Sequence, residues 1–228
     1  MPQFSTTIQL NGGLDTRADG PCATGPDGEG QLVHLRQGDA DGACGPYVLM
    51  MALLVLGLAS RDSLAPLATT DKRTRIGRFF SALAEQEIEP LFKDGTGLDL
   101  LDTVLNKAYA AKVRTEKLLV SGVETKRAVL KAVEGGALVI VKVVGESGMV
   151  HWLLVVGVEH ILVDGSPPRP NSLLALDSSV AATNVAPWNA WLSLDGHKGK
   201  RHPYAYVRFG IDKEELVSLQ EALAIYLR

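Results

Sequence analysis

The stretch from Tyr47 to Ala59 carries no charged side chain and is the longest apolar run in the chain. At about a dozen residues it is too short to cross a bilayer, which takes ~20. A helix that is apolar all round has to be buried on every side. Its start is marked by Cys44-Gly45-Pro46. Proline suits the first turn of a helix, where its missing N–H costs nothing, so a helix is expected to begin at or just after Cys44.

The rest of the chain can supply that cover. It has 228 residues, of which 46% are apolar and 21% charged, the balance of a folded globular protein with a full core. Lys plus Arg number 23 and Asp plus Glu 26, for a formal charge of −3. That argues against a dedicated nucleic-acid binder, which is usually clearly basic. The two cysteines, Cys22 and Cys44, make no disulfide framework; one bridge is an option, and a reducing compartment is the simpler reading. No Cys-x-x-Cys or His-Glu-x-x-His spacing occurs, so neither a metal centre nor a cofactor is expected. The opening MPQFSTTIQL has no basic segment followed by an apolar one. The expectation is a cytoplasmic protein, or one exported without a cleavable signal, with no membrane span.

Along the chain, Phe4 to Leu10 reads as a strand. Asn11 to Gly30 is rich in Gly, Asp and Pro, which predicts turns or a mobile loop, and Gln31 to Leu35 reads as a short strand. Residues 1–36 are expected to form an N-terminal arm and residues 37–228 the main domain. Helical spacing marks Thr74 to Ala84, Gly97 to Ala111 and Glu124 to Glu134. The patterning then changes. Ala137 to Val144, Val150 to Val158, Leu173 to Asp177 and Ala205 to Phe209 read as strands. Leu216, Leu219, Leu223 and Leu227 predict a closing helix over Leu216 to Leu227. Helices first and antiparallel strands later predict an α+β domain with two lobes.

Three residues carry candidate chemistry. Cys44 sits at a helix N-terminus, whose partial positive charge favours a thiolate; a small apolar core residue is the alternative. His151 opens an otherwise apolar strand and is a candidate base; a structural histidine is equally compatible with that position. Asp177 closes an apolar strand before Ser178-Ser179. It reaches His151 if the two strands are neighbours, and otherwise reads as a turn-initiating acid. The remaining histidines, His34, His160, His197 and His202, read mostly as solvated.

The order Gln37, Cys44-Gly45-Pro46-Tyr47, a buried helix, the strand ALVIV, His151-Trp152 leading to Gly157, and Leu174-Ala175-Leu176-Asp177 resembles a papain-like cysteine peptidase. It is most similar to the bacterial branch of double-glycine leader peptidases that process bacteriocins. The resemblance spans residues 37 to 177. It implies a papain-like fold, a helical lobe with the nucleophile at the N-terminus of a buried helix beside an antiparallel sheet lobe. It further implies Cys44 as nucleophile, His151 as base, Asp177 as orienting acid and Gln37 as oxyanion-hole donor. The expected activity is peptide-bond cleavage through an acyl-enzyme, on a protein or peptide substrate whose binding residues the sequence does not mark. A bacterial effector or toxin is one setting, and a toxin would call for an inhibitory partner protein. The same residues serve deamidation, isopeptide cleavage or acyl transfer, and a catalytically silent binding module is a further alternative.

Overall fold

The computed structural model describes residues 4–38, 43–64, 71–85, 96–118, 123–195 and 201–228. Its centre is built from valine-rich, β-branched segments that favour extended backbone. Strand β6 (Leu138–Gly145) turns at Gly148, φ +90°, into the long β7 (Val150–Val163). β7 also pairs with β8 (Arg169–Leu176), β8 with β9 (Ala190–Ser193), β9 with β10 (Tyr204–Arg208) and β10 with β11 (Glu215–Leu227). β11 returns to β6. Six antiparallel strands thus close into a barrel. Two more extend it. β1 (Phe4–Leu10) pairs with the far half of β7, Gly157 to Val163. β5 (Val113–Leu118) pairs with the far half of β11, Ala222 to Leu227. β1 approaches closely enough that a Cβ on Gly157 would stand 2.4 Å from the Gln9 carbonyl oxygen.

Alternation along each strand separates two apolar layers. Val141, Val143, Leu153, Val155, Leu192 and Tyr206 are among those that fill the barrel. Ile140, Trp152, Leu154, Val156 and Ile225 face outward into a layer of helices. The apolar run forms α1 (Cys44–Val55), which lies there with Val48, Leu49, Met51 and Leu53 fully buried. Burying each such side chain stabilises by about 1.5–3 kcal/mol. Short α2 (Arg61–Leu64) follows. α3 (Arg75–Ala84), capped by the Thr74 hydroxyl accepting from the Gly77 N–H at 3.0 Å, packs on α4 (Leu98–Tyr109) through Phe79 and Tyr109. α5 (Val123–Glu134) lies over one end of the barrel, with Lys126 Nζ donating to Leu194 O and Thr125 Oγ1 to Gln220 O. The buried Asn11 side chain ties β1 to that end by donating to Val133 O and Ala137 O, both at 2.7 Å.

The expected papain-like α+β arrangement, a helical lobe beside a sheet lobe, is not what forms. Helix makes up only 26% of the described residues, and the sheet is a closed barrel with helices against its outer face. The main reason is the C-terminal segment. The expected helix over Leu216 to Leu227 is strand β11, the strand that closes the barrel. Its leucines have helical spacing, but a register shift between Leu219 and Ala222 changes the alternation midway. Both faces are apolar there because one lines the barrel and the other meets the helices, so period-two patterning is hidden. Asn11 to Gly30, expected as turns or a mobile loop, contains β2 (Asp15–Arg17) and β3 (Gly20–Thr24), which pair with β4 (Gly30–Leu32) in a separate three-stranded sheet. β5 and β9 fall in segments where the sequence suggested no strand.

Candidate functional site

The end of the barrel opposite α5 gathers the chemistry-bearing residues. Cys44 is the first residue of α1, which the outward face of β7 supports. Among the described residues no side chain caps this helix start, and the positive end of the helix dipole gives the sulfur a positive field. His151 is the second residue of β7, opposite Val143 on the barrel-lining face. Asp177 directly follows β8, which pairs with β7 from Leu154↔Leu176 onward. The neighbouring strands therefore bring Asp177 to the imidazole: His151 Nε2 donates to Asp177 Oδ1 at 2.7 Å. Cys44 hydrogen-bonds to the same ring, which leaves Nδ1 for the sulfur.

Asp177 is fully buried and heavily supported. Besides His151, its carboxylate accepts from the Ser179 N–H at 2.8 Å, from the Ser179 hydroxyl at 2.9 Å and from the Tyr206 hydroxyl, which reaches it from inside the barrel. Its backbone is clamped by Asn189, whose Oδ1 accepts from Asp177 N–H at 2.7 Å and whose Nδ2 donates to Asp177 O at 2.8 Å. His34 Nε2 reaches the same carbonyl at 2.9 Å. A buried carboxylate with this many donors stays ionised.

The electrostatics follow. Burial pushes the Cys44 thiol up, but the hydrogen bond and charge of His151, helped by the backbone N–H groups of Trp152 and Gly45, outweigh it and leave the thiol below its ordinary value. Burial pulls His151 down, yet the bonds and charges of Asp177 and Cys44 raise it to about 9. Burial likewise pushes Asp177 up, and His151, Tyr206 and Ser179 bring it down to about 2. Thiolate and imidazolium are thus each favoured by the other at neutral pH. Burial, followed by the Asp177 charge, drives the Tyr206 hydroxyl well above its usual value, so it remains a donor.

Gln37 joins the group through Ser178, the residue after Asp177. Its N–H donates to Ser178 O at 2.9 Å, and its Oε1 accepts from the Ser178 hydroxyl at 2.6 Å. All four expected site residues, Cys44, His151, Asp177 and Gln37, therefore lie in one connected group. Gly45 has a steric reason for its identity: a Cβ there would stand 2.5 Å from Thr96 Cβ. The Thr96 carbonyl accepts from Trp152 Nε1 at 2.8 Å, while its own buried hydroxyl has no hydrogen-bond partner among the described residues.

The sequence reading missed Tyr206, Asn189 and Thr96, which come from distant segments with no local pattern. It also placed His34 among the solvated histidines. His34 is buried, and burial holds its ring below the ordinary range. His160 bonds Glu134 and His202 bonds Val144 O, both away from Cys44, while His197 lies outside the described residues. Ser178 and Ser179 were the one legible signal, two hydroxyls directly after the acid. Cys22 and Cys44 are both free thiols. Among the described residues no helix is long and apolar enough to cross a membrane, and no three His, Cys, Asp or Glu side chains cluster as a metal site. No protein-family model matches the chain, and no curated protein sequence shows significant similarity to it.

Proposed function

We propose that this protein is a thiol hydrolase that cleaves peptide bonds through Cys44, His151 and Asp177. The observation that carries the reading is the His151 ring held between two partners, the Cys44 sulfur and Asp177 Oδ1 at 2.7 Å. The reaction is taken from these side chains and owes nothing to the fold, which hosts many chemistries.

The Cys44 thiolate attacks the carbonyl carbon of the scissile amide and forms a C–S bond, and the carbonyl π pair moves to oxygen. Backbone N–H groups at the start of α1 and the Gln37 amide are the donors proposed for that oxyanion. The His151 imidazolium gives its Nδ1 proton to the departing amine as the C–N bond breaks, leaving a thioester. Water then attacks the thioester carbonyl, and neutral His151 takes its proton. Collapse of the second oxyanion expels the Cys44 thiolate and regenerates the ion pair. Asp177 keeps the Nε2 proton in place throughout and so fixes which ring nitrogen faces sulfur.

The test has two parts. Brief iodoacetamide treatment at mildly acidic pH, read by peptide mass spectrometry, is expected to label Cys44 ahead of Cys22. A denatured protein mixture incubated with wild type and with Cys44→Ala is then searched for new N-termini, which only wild type should generate. Labelling of Cys22 first, or cleavage that persists in Cys44→Ala, would sink the reading. A gain of about 1 Da at glutamine with no new N-termini would reassign the chemistry to deamidation.

A further inference from the structure

We infer that Ser178 is the positioning residue for the Gln37 amide, so that the three consecutive residues Asp177-Ser178-Ser179 organise both the base and the oxyanion donor. This rests on the thiol-hydrolase reading above. A carboxamide has an accepting end and a donating end, and only the donating end can stabilise an oxyanion. Ser178 grips Gln37 at two points: its carbonyl takes the Gln37 backbone N–H at 2.9 Å, and its hydroxyl donates to Gln37 Oε1 at 2.6 Å. With Oε1 engaged by a donor, Nε2 is turned away from Ser178, and the amide has one orientation rather than two. Ser178 is completely buried, as is Asp177, so bulk water does not compete for that hydroxyl.

The neighbours on either side act on the other half of the chemistry. Asp177 Oδ1 holds His151, and Ser179 pins Asp177 through its N–H and its hydroxyl. Ser178 is joined by one peptide bond to each of them. Its two bonds tie Gln37, 141 positions away in sequence, to the strand end that carries the acid. The side chains of 177 and 178 thus point one toward the base and the other toward the oxyanion donor, and Asn189 fixes the backbone between them.

Two small reagents separate these roles on the full-length protein. Alkylation by iodoacetamide displaces iodide at a saturated carbon and develops no oxyanion, so its rate reads the thiolate–imidazolium pair alone. Acetylation by 4-nitrophenyl acetate passes through a tetrahedral oxyanion. The thiolate forms the C–S bond, 4-nitrophenolate leaves, and its absorbance gives the rate. Gln37→Ala is expected to slow acetylation ~100-fold, and Ser178→Ala ~10-fold or more because the donor is misplaced rather than removed. Both should alkylate at the wild-type rate, which also shows that Ser178→Ala is folded around Cys44. The double variant should be no slower than Gln37→Ala, because both changes remove one contact. Gln37→Glu, which keeps an acceptor for the Ser178 hydroxyl but has no N–H, should be as slow as Gln37→Ala. If Ser178→Ala does not fold, Ser178→Cys keeps the volume with a weaker donor and should slow acetylation in the same sense.

Wild-type acetylation in Ser178→Ala beside a slow Gln37→Ala would overturn the inference and leave the hydrolase reading intact. So would effects that multiply in the double variant, or a Gln37→Ala protein as fast as wild type. A wild-type protein that alkylates at Cys44 but is never acetylated would instead overturn the hydrolase reading itself.

Discussion

The two cysteines of this chain are buried to nearly the same degree, Cys22 at 3% exposure and Cys44 at 6%, and neither forms a disulfide. They differ in what surrounds them. Cys22 lies in the middle of the small three-stranded sheet, in register with Asp15 on one side and Leu32 on the other. Cys44 opens a helix, takes the backbone N–H groups of Gly45 and Trp152 on its sulfur, and shares a hydrogen bond with His151, itself held by a buried carboxylate. Burial alone makes a thiol inert. At Cys44 the same burial strengthens the attraction between sulfur and imidazole, because little water remains to screen it. On the proposed reading, reactivity is a property of the neighbours, and the contrast can be attacked from either side.

The largest effect is expected from His151→Ala, which leaves Cys44 at a helix start without a proton partner. Turnover should fall roughly 10⁴-fold or more, and iodoacetamide should lose its preference for Cys44 over Cys22. A variant that still labels Cys44 selectively at mildly acidic pH would show that the helix terminus alone activates the thiol.

Asp177→Asn comes next, with a fall of about 10³-fold in kcat and a change in pH dependence. Activity should rise as the Cys44 thiol ionises and decline as His151 loses its proton near 9. Without the Asp177 charge the His151 value drops, so the alkaline limb should move to lower pH. Stability follows the same pair by linkage. Asp177 is lowered to about 2, so its contribution is present above its ordinary value of 3.8 and is lost as pH falls toward 2. His151 is raised to about 9, so its contribution is complete below 6.5 and is lost as pH rises through 9. Calorimetry should therefore show Tm falling between pH 6.5 and 9 in wild type, and a flatter profile over that range in His151→Ala. An alkaline decline that persists unchanged in His151→Ala would assign it to other groups.

Tyr206→Phe removes one of four donors to the Asp177 carboxylate and leaves the ring in the barrel. We expect about a 10-fold loss in kcat, with KM little changed and Cys44 still labelled ahead of Cys22. A loss as deep as that of Asp177→Asn would mean that the phenol, rather than Ser179 and Asn189, is what holds the acid. The smallest effect belongs to Cys22→Ala. It should cost at most about 1 kcal/mol of stability and leave kcat, KM and the labelling of Cys44 unaltered; a loss of activity there would abolish the contrast between the two thiols.

Much of the site was legible because its members sit at punctuation points in the sequence. Cys44 stands between a glycine-rich loop and an uncharged apolar run, His151 starts an apolar strand, and Asp177 ends one. Local chemistry sets such positions: proline at a helix start, an all-apolar helix that has to be buried, β-branched runs that favour extended backbone. For the same reason α1, α3 to α5 and strands β6 to β8 lie close to where the patterning puts them. What joins Asp177 to His151 is the pairing of β8 with β7, and what joins Gln37 to them is a bond across 141 positions.

Closure of the barrel was not legible. Glu221-Ala222-Leu223-Ala224 are residues that favour helix in isolation, yet Ala222 and Ala224 line the barrel while Leu223 and Ile225 meet the helices. That segment is a strand because β6 and β5 supply its hydrogen-bond partners, a condition that exists only once the sheet has formed. Tyr206, Asn189 and Thr96 belong to the same class, since each reaches the site across the barrel or from a neighbouring layer. Residue type and local spacing determined which side chains can react and which segments form helices or β-branched strands, since those depend on near neighbours in the chain. Tertiary structure decided the barrel and the set of donors that keep Asp177 ionised, since both depend on strands that meet only after the chain has folded back on itself.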